Sequence, residues 1–137
     1  MICLAGVLIA AAANSPAAAQ IQVQVLRGRI EAAAAQAPQE AETGLFVTEG
    51  GLRHTVTGDE YTMGQLHDRR LAGRLWELHG TPGPGGRFLV DKLFTIKDRQ
   101  RFRVTYFCVV CNIRTHAPGR CMCCQDETEL EELPEKP

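Results

Sequence analysis

Five of the six cysteines fall within 17 residues, as Cys108-Val-Val-Cys111 and then, nine residues on, Cys121-Met-Cys123-Cys124. Two C-x2-C pairs at this separation let two tight turns each aim two thiolates at one point, while turn amides hydrogen-bond to the sulfurs. Zn²⁺ takes such a shell at about 2.3 Å in a tetrahedron and has no redox chemistry to damage its ligands. Cys108, Cys111, Cys121 and Cys124 are therefore the predicted zinc ligands, with Cys123 and His116 as alternates. Four thiolates leave no open position to activate water, so the pattern points to a structural site and away from zinc catalysis.

Disulfides compete with the metal in an oxidising compartment. Five cysteines leave one unpaired, the adjacent Cys123 and Cys124 cannot bond to each other without strain, and a self-closing C-x2-C is a redox centre more than a staple. Thiol–disulfide redox or metal buffering, with Cys123 as a working thiol, is thus the alternative to a structural zinc. Pro118-Gly119 sets up the second turn. Arg114 and Arg120 bring positive charge to the loop that would carry a zinc tetrathiolate.

Tyr106-Phe-Cys108-Val-Val-Cys111, Pro118-Gly119-Arg120, Cys121-Met-Cys123-Cys124 and Glu129-Leu130 together resemble the short heavy-metal-binding zinc-ribbon module of bacterial metal-efflux and copper-handling proteins. The resemblance spans about 106–131 and implies a short β-hairpin closing the site. Cys111 stands where that module usually has His, and Gln125 where Gly follows the last Cys. The first change makes the shell more like that of a generic zinc ribbon and weakens the case for metal trafficking.

Strands must deliver these cysteines. Arg101 to Phe107 puts Phe102, Val104 and Tyr106 on one face and Arg101, Arg103 and Thr105 on the other, and runs directly into Cys108. Phe88 to Ile96 precedes it, with a turn at Lys97–Gln100, which predicts a hairpin. Upstream, Leu71 to Gly80 alternates Trp76 and Leu78 with Glu77 and His79, the period of a half-buried strand. Thr81–Gly86, with two Pro and three Gly, is a loop. Leu45-Phe46-Val47 predicts a first strand ended by Gly50-Gly51. Thr57 and Glu60 have capping-box spacing for a short helix burying Tyr61, Met63, Leu66 and Leu71 despite Gly64. A helix, then a strand after Gly73-Arg74, a loop and a hairpin over 59–107 is similar in pattern to small OB-type barrels.

The fold predicted is mainly β: a small OB-like barrel or twisted sheet with one short helix over 44–107, followed by a C-terminal zinc ribbon over 106–131. Before it, residues 1–19 lack any charge and read as a signal peptide with cleavage before Gln20. Its apolar run is too short to span a bilayer, so no stable span is predicted once it is removed. Residues 20–43 read as an Ala/Gln-rich linker, where Val23 and Val25 alternate as a strand would while Ala32–Ala35 favours helix. The acidic end, 132–137, reads as a disordered tail. These features predict an exported, periplasmic or secreted protein.

A net charge of −1 over 137 residues gives no global basic field for nucleic acid, and the strands lack an interleaved basic and aromatic platform. No nucleic-acid partner is predicted; a protein partner is. His54, His67 and His79 have no metal-ligand spacing, Gly83–Gly86 lacks the Lys-Ser/Thr of a phosphate loop, and there is no G-x-S-x-G, so no catalytic set emerges. Trp76, Phe88, Phe94 and Tyr106 read as core, and Asp68-Arg69-Arg70 and Arg99–Arg103 as solvated charge.

Overall fold

The computed structural model describes residues 22–31 and 42–136. The predicted signal segment and half of the predicted linker lie outside that range. The chain is mainly β, with one short helix and an eight-stranded, largely antiparallel sheet: β1 (Gln24–Ile30), β2 (Gly44–Thr48), β3 (Arg53–Thr57), α1 (Glu60–Leu66), β4 (Leu75–Pro82), β5 (Phe88–Lys97), β6 (Gln100–Cys108), β7 (Ile113–Thr115) and β8 (Glu129–Pro134). No helix among the described residues is long and apolar enough to cross a membrane.

The strand order is β3-β2-β1-β4-β5-β6-β7, with β8 on the other edge of β6. The sheet curls until β3 meets β5 in a two-residue parallel pairing, Val56 with Phe88 and Thr57 with Leu89. Inside the curl sit Phe46, Val56, Met63, Leu66, Trp76, Leu78, Phe88, Val90, Val104 and Tyr106. Curling this tightly needs backbone contact: a Cβ on Gly80 would lie 1.9 Å from the Leu89 carbonyl oxygen, beside the bulge where β4 and β5 slip register. The β5–β6 hairpin turns on Asp98 and Arg99, both at positive φ (48° and 64°), the backbone of a two-residue turn that follows strand twist.

Several predictions need correction. Gln24–Ile30, placed in the linker, is an interior strand between β2 and β4, because Leu26 and Ile30 pack on the core. The strand at Leu45–Val47 is therefore the second, and Arg53–Thr57 is a strand that no expectation covered. Thr57 lies in β3; the helix cap is Asp59, whose Oδ1 accepts from the Thr62 amide at 2.7 Å. Tyr61 is exposed, and Leu71 is buried from a 3₁₀ turn beyond the helix. Phe94 points to the outer face of β5, edge-on to His79. The predicted disordered tail is β8 as far as Pro134, paired with β6 from Phe102–Pro134 to Phe107–Glu129. Its Glu132 is held by Lys97, by Thr95 Oγ1 at 2.7 Å and by Arg74 at 3.2 Å.

Candidate metal centre

Alternation along β6 buries Val104, Tyr106 and Cys108 on one side, so the core itself aims Cys108 inward, at 1% exposure. The chain then turns through exposed Val109 and Val110, and the Cys111 amide donates to Cys108 Sγ at 3.4 Å. Asn112 closes this turn in the left-handed region (φ 55°), and β7 returns antiparallel with Ile113 opposite Cys108. The second turn repeats the first. Gly119 (φ 113°) leads to Cys121, the Gln125 amide donates to the Cys121 carbonyl at 2.9 Å, and Gln125 takes the left-handed position (φ 63°). The residue after each C-x2-C thus adopts the conformation Gly favours, filled here by Asn112 and Gln125.

The four Sγ atoms of Cys108, Cys111, Cys121 and Cys124 lie within 4.8 Å of one another, with Cys108 and Cys124 3.5 Å apart. A tetrahedral zinc–sulfur shell with arms of about 2.3 Å has edges of about 3.8 Å, so the donor set fits such an ion. Amides of Cys124 and Cys123 hold the Cys121 thiol down at about 7, whereas the neighbouring Cys124 and Cys123 thiols push Cys111 up. One member is thereby ready to ionise while another holds its proton, and a divalent cation supplies the charge that lets all four ionise.

Of the alternates, Cys123 is exposed and outside the four-sulfur group. His116 is used through its backbone, its carbonyl accepting from Gln65 Nε2 at 2.8 Å. Arg114 and Arg120 are engaged by tail carboxylates, Glu131 at 2.7 Å and Glu127 at 3.3 Å. The predicted solvated stretch Asp68–Arg70 is in fact the mount of the loop. Asp68, 6% exposed, accepts from Tyr106 Oη at 2.9 Å and from Arg70, and Arg70 Nη1 donates to the Thr128 carbonyl at 3.1 Å. Burial raises the Asp68 carboxyl, but the Arg70 and Tyr106 hydrogen bonds outweigh it and hold the group below the usual range; burial and Asp68 together push the Tyr106 phenol up. Gly64 seats Pro118, since a Cβ there would lie 3.1 Å from the proline ring. Sequence spacing marked the four clustered cysteines but not this mount, whose one local hint was Asp68 two residues before Arg70.

No protein-family model matches the chain, and neither a curated protein nor a solved structure matches it. The zinc-ribbon resemblance is supported by the cysteine cluster alone: four cysteines stand within metal-binding distance, consistent with a zinc-binding module.

Proposed function

We propose that this is an exported, non-enzymatic zinc-binding protein whose four-cysteine site holds a C-terminal interaction module in shape. The observation carrying this reading is the convergence of Cys108, Cys111, Cys121 and Cys124 within 4.8 Å. Between β6 and β8, Cys121 alone is a buried hydrophobic residue, so the loop has no apolar core of its own to fix it. Zinc would supply that constraint as a closed, redox-silent crosslink between the two turns. The chain's own residues orient it: the turn amides face Cys108 and Cys121, and Tyr106, Asp68 and Arg70 tie the loop to the sheet. Val109, Val110 and Met122 stand exposed at the turn tips, where a protein partner would meet the module.

A second reading, metal buffering or thiol redox, draws on exposed Cys123, whose thiol interacts with Cys111. Protein isolated from its native compartment separates the two by metal content and free-thiol count. One zinc per chain, lost in Cys108→Ser and kept in Cys123→Ser, supports the structural site. Metal-free protein with titratable disulfides would overturn it.

A further inference from the structure

β1 is an interior strand for only half its length. Toward its C-terminal end it lies between β2 and β4, but the ladder to β2 stops at Gly28–Thr48, where the β2–β3 hairpin turns back through Glu49-Gly50-Gly51. The ladder to β4 runs on to Gln24–Gly80. The N-terminal half of β1 therefore passes the hairpin tip paired on one side only. Alternation decides which main-chain groups this leaves uncovered. The Glu49 amide donates to the Arg27 carbonyl and the Glu31 amide to the Leu45 carbonyl, each at 2.9 Å, so the odd-numbered residues of β1 turn their N–H and C=O toward the β2 edge. Val25 and Val23 continue that series beyond the hairpin. Among the described residues no strand pairs with them on this edge. Their side chains stand on the outer face, Val23 66% and Val25 50% exposed, with His79 opposite Val25 on β4.

A free edge accepts another strand, and natural sheets guard against this with charge, proline or a bulge. β8, the other strand of comparable length paired on one side only, is guarded by Glu129, Glu131 and Pro134. β1 is not. Gln20 to Leu26 reads Gln-Ile-Gln-Val-Gln-Val-Leu, free of charge, Gly and Pro, and alternates amide with β-branched side chains. An alternating, uncharged edge is complementary to itself. Reversed about a twofold axis at Gln24, it sets Val25 against the copy's Val23 and Gln24 against the copy's Gln24. The same operation on β8 would set carboxylate against carboxylate.

We propose that the free edge of β1 is a homodimer interface, two copies pairing antiparallel through Val23 and Val25 so that the sheet of one chain continues into the other. Val25 and the copy's Val23 exchange both main-chain hydrogen bonds, and the valines of the two chains come together on the outer face. The Gln24 side chains meet on the opposite face, where their amides hydrogen-bond to each other. The contact is isologous, so assembly closes at the dimer. With about five residues a side the interface falls below about 1,200 Å², and the dimer is weak and reversible. It does not depend on the zinc reading, because β4 and β5 separate β1 from the strand that carries Cys108.

The test is sedimentation equilibrium of the metal-loaded full chain under reducing conditions, from about 5 µM to about 500 µM, with hydrogen exchange at both ends of that range. A monomer–dimer equilibrium is expected, little changed by salt because the edge is uncharged, with the Val25 amide protected only at the higher concentration. Val25→Lys and Val25→Glu should each raise the dissociation constant about tenfold, by losing the valine contacts and bringing like charges across the axis. An equimolar mixture of the two should restore the parent affinity. Val25 is exposed, so thermal melts and metal content of both variants should match the parent. A chain that stays monomeric throughout the range would overturn the proposal. Association indifferent to both substitutions would assign the contact to the apolar run at Met1–Ala13, and association lost in Met122→Ser instead would assign it to the cysteine turns; either result overturns it as well.

Discussion

Glu77→Gln tests the electrostatic centre of the sheet. The carboxylate is fully buried and accepts from Arg27, Arg101 and His79 at 2.6–2.7 Å. Neutralising one member of a buried, hydrogen-bonded ion pair costs about 3–5 kcal/mol. Arg27 and Arg101 are about half exposed and regain solvation, which discounts the loss to about 2–3 kcal/mol. For a domain of this size that lowers the thermal midpoint by roughly 10–20 °C. The pH dependence identifies the cause. Because the folded Glu77 carboxyl is depressed, its contribution is fully present above the unfolded value of about 4.3 and is lost as pH falls through the folded value. Urea unfolding of both proteins, metal-loaded, from about pH 7 downward should give a gap that is constant to about pH 5 and closes in more acid solution. Asp68 and Glu132 are depressed as well, but they weaken both proteins equally and cancel in the difference. A gap under about 0.5 kcal/mol at pH 7, the size of an ordinary surface substitution, would refute the reasoning, and so would one that persists unchanged into acid.

Gly80→Ala should cost about 2–3 kcal/mol by urea unfolding, because its Cβ would meet the Leu89 carbonyl oxygen at 1.9 Å and force β4 and β5 apart. Gly85→Ala, with nothing near its Cβ but φ at 69°, should cost only the smaller strain of a left-handed residue, near 1 kcal/mol. Truncation after Thr128 removes β8 and with it the Glu132 contacts to Lys97, Thr95 and Arg74 and the packing of Leu130. It should expose the β6 amides of Arg103 and Thr105, which face β8, to hydrogen exchange, whereas removal of Glu135–Pro137 alone should leave them protected.

The cysteine cluster was legible because its geometry is local: C-x2-C sets two sulfurs within one turn, and the nine-residue spacing brings the turns together. The hairpin of β5 and β6 was legible for the same reason, its alternation being carried by adjacent residues. What escaped depended on partners far along the chain. Gln24–Ile30 carries three glutamine and arginine positions against two core residues, Leu26 and Ile30, and only pairing with β2 and β4 makes it a strand. Glu77 fitted the solvent phase of its strand, and it does face outward; Arg27, 50 residues away, and Arg101 bury it there. The acidic run at Glu129–Glu135 has the composition of a solvated tail, yet Lys97, Arg74, Arg103 and Arg114 supply countercharge that its own sequence lacks.

The four-cysteine cluster and the sheet are mechanically one through β6. This strand pairs β5 at its start, carries Val104 and Tyr106 into the core, ends on Cys108, and is flanked by β8 for six residues. Across that ladder, Tyr106 reaches Asp68, Arg70 reaches Thr128, and Gln65 reaches His116, so contacts from three elements converge around the loop. A crosslink at the cysteines would therefore restrict the end of a core strand as well as a surface loop. Conversely, the sheet already fixes one sulfur of the four before any cation arrives. Burial of Cys108 by the core is what lets a loop that buries few apolar side chains present a preorganised donor set.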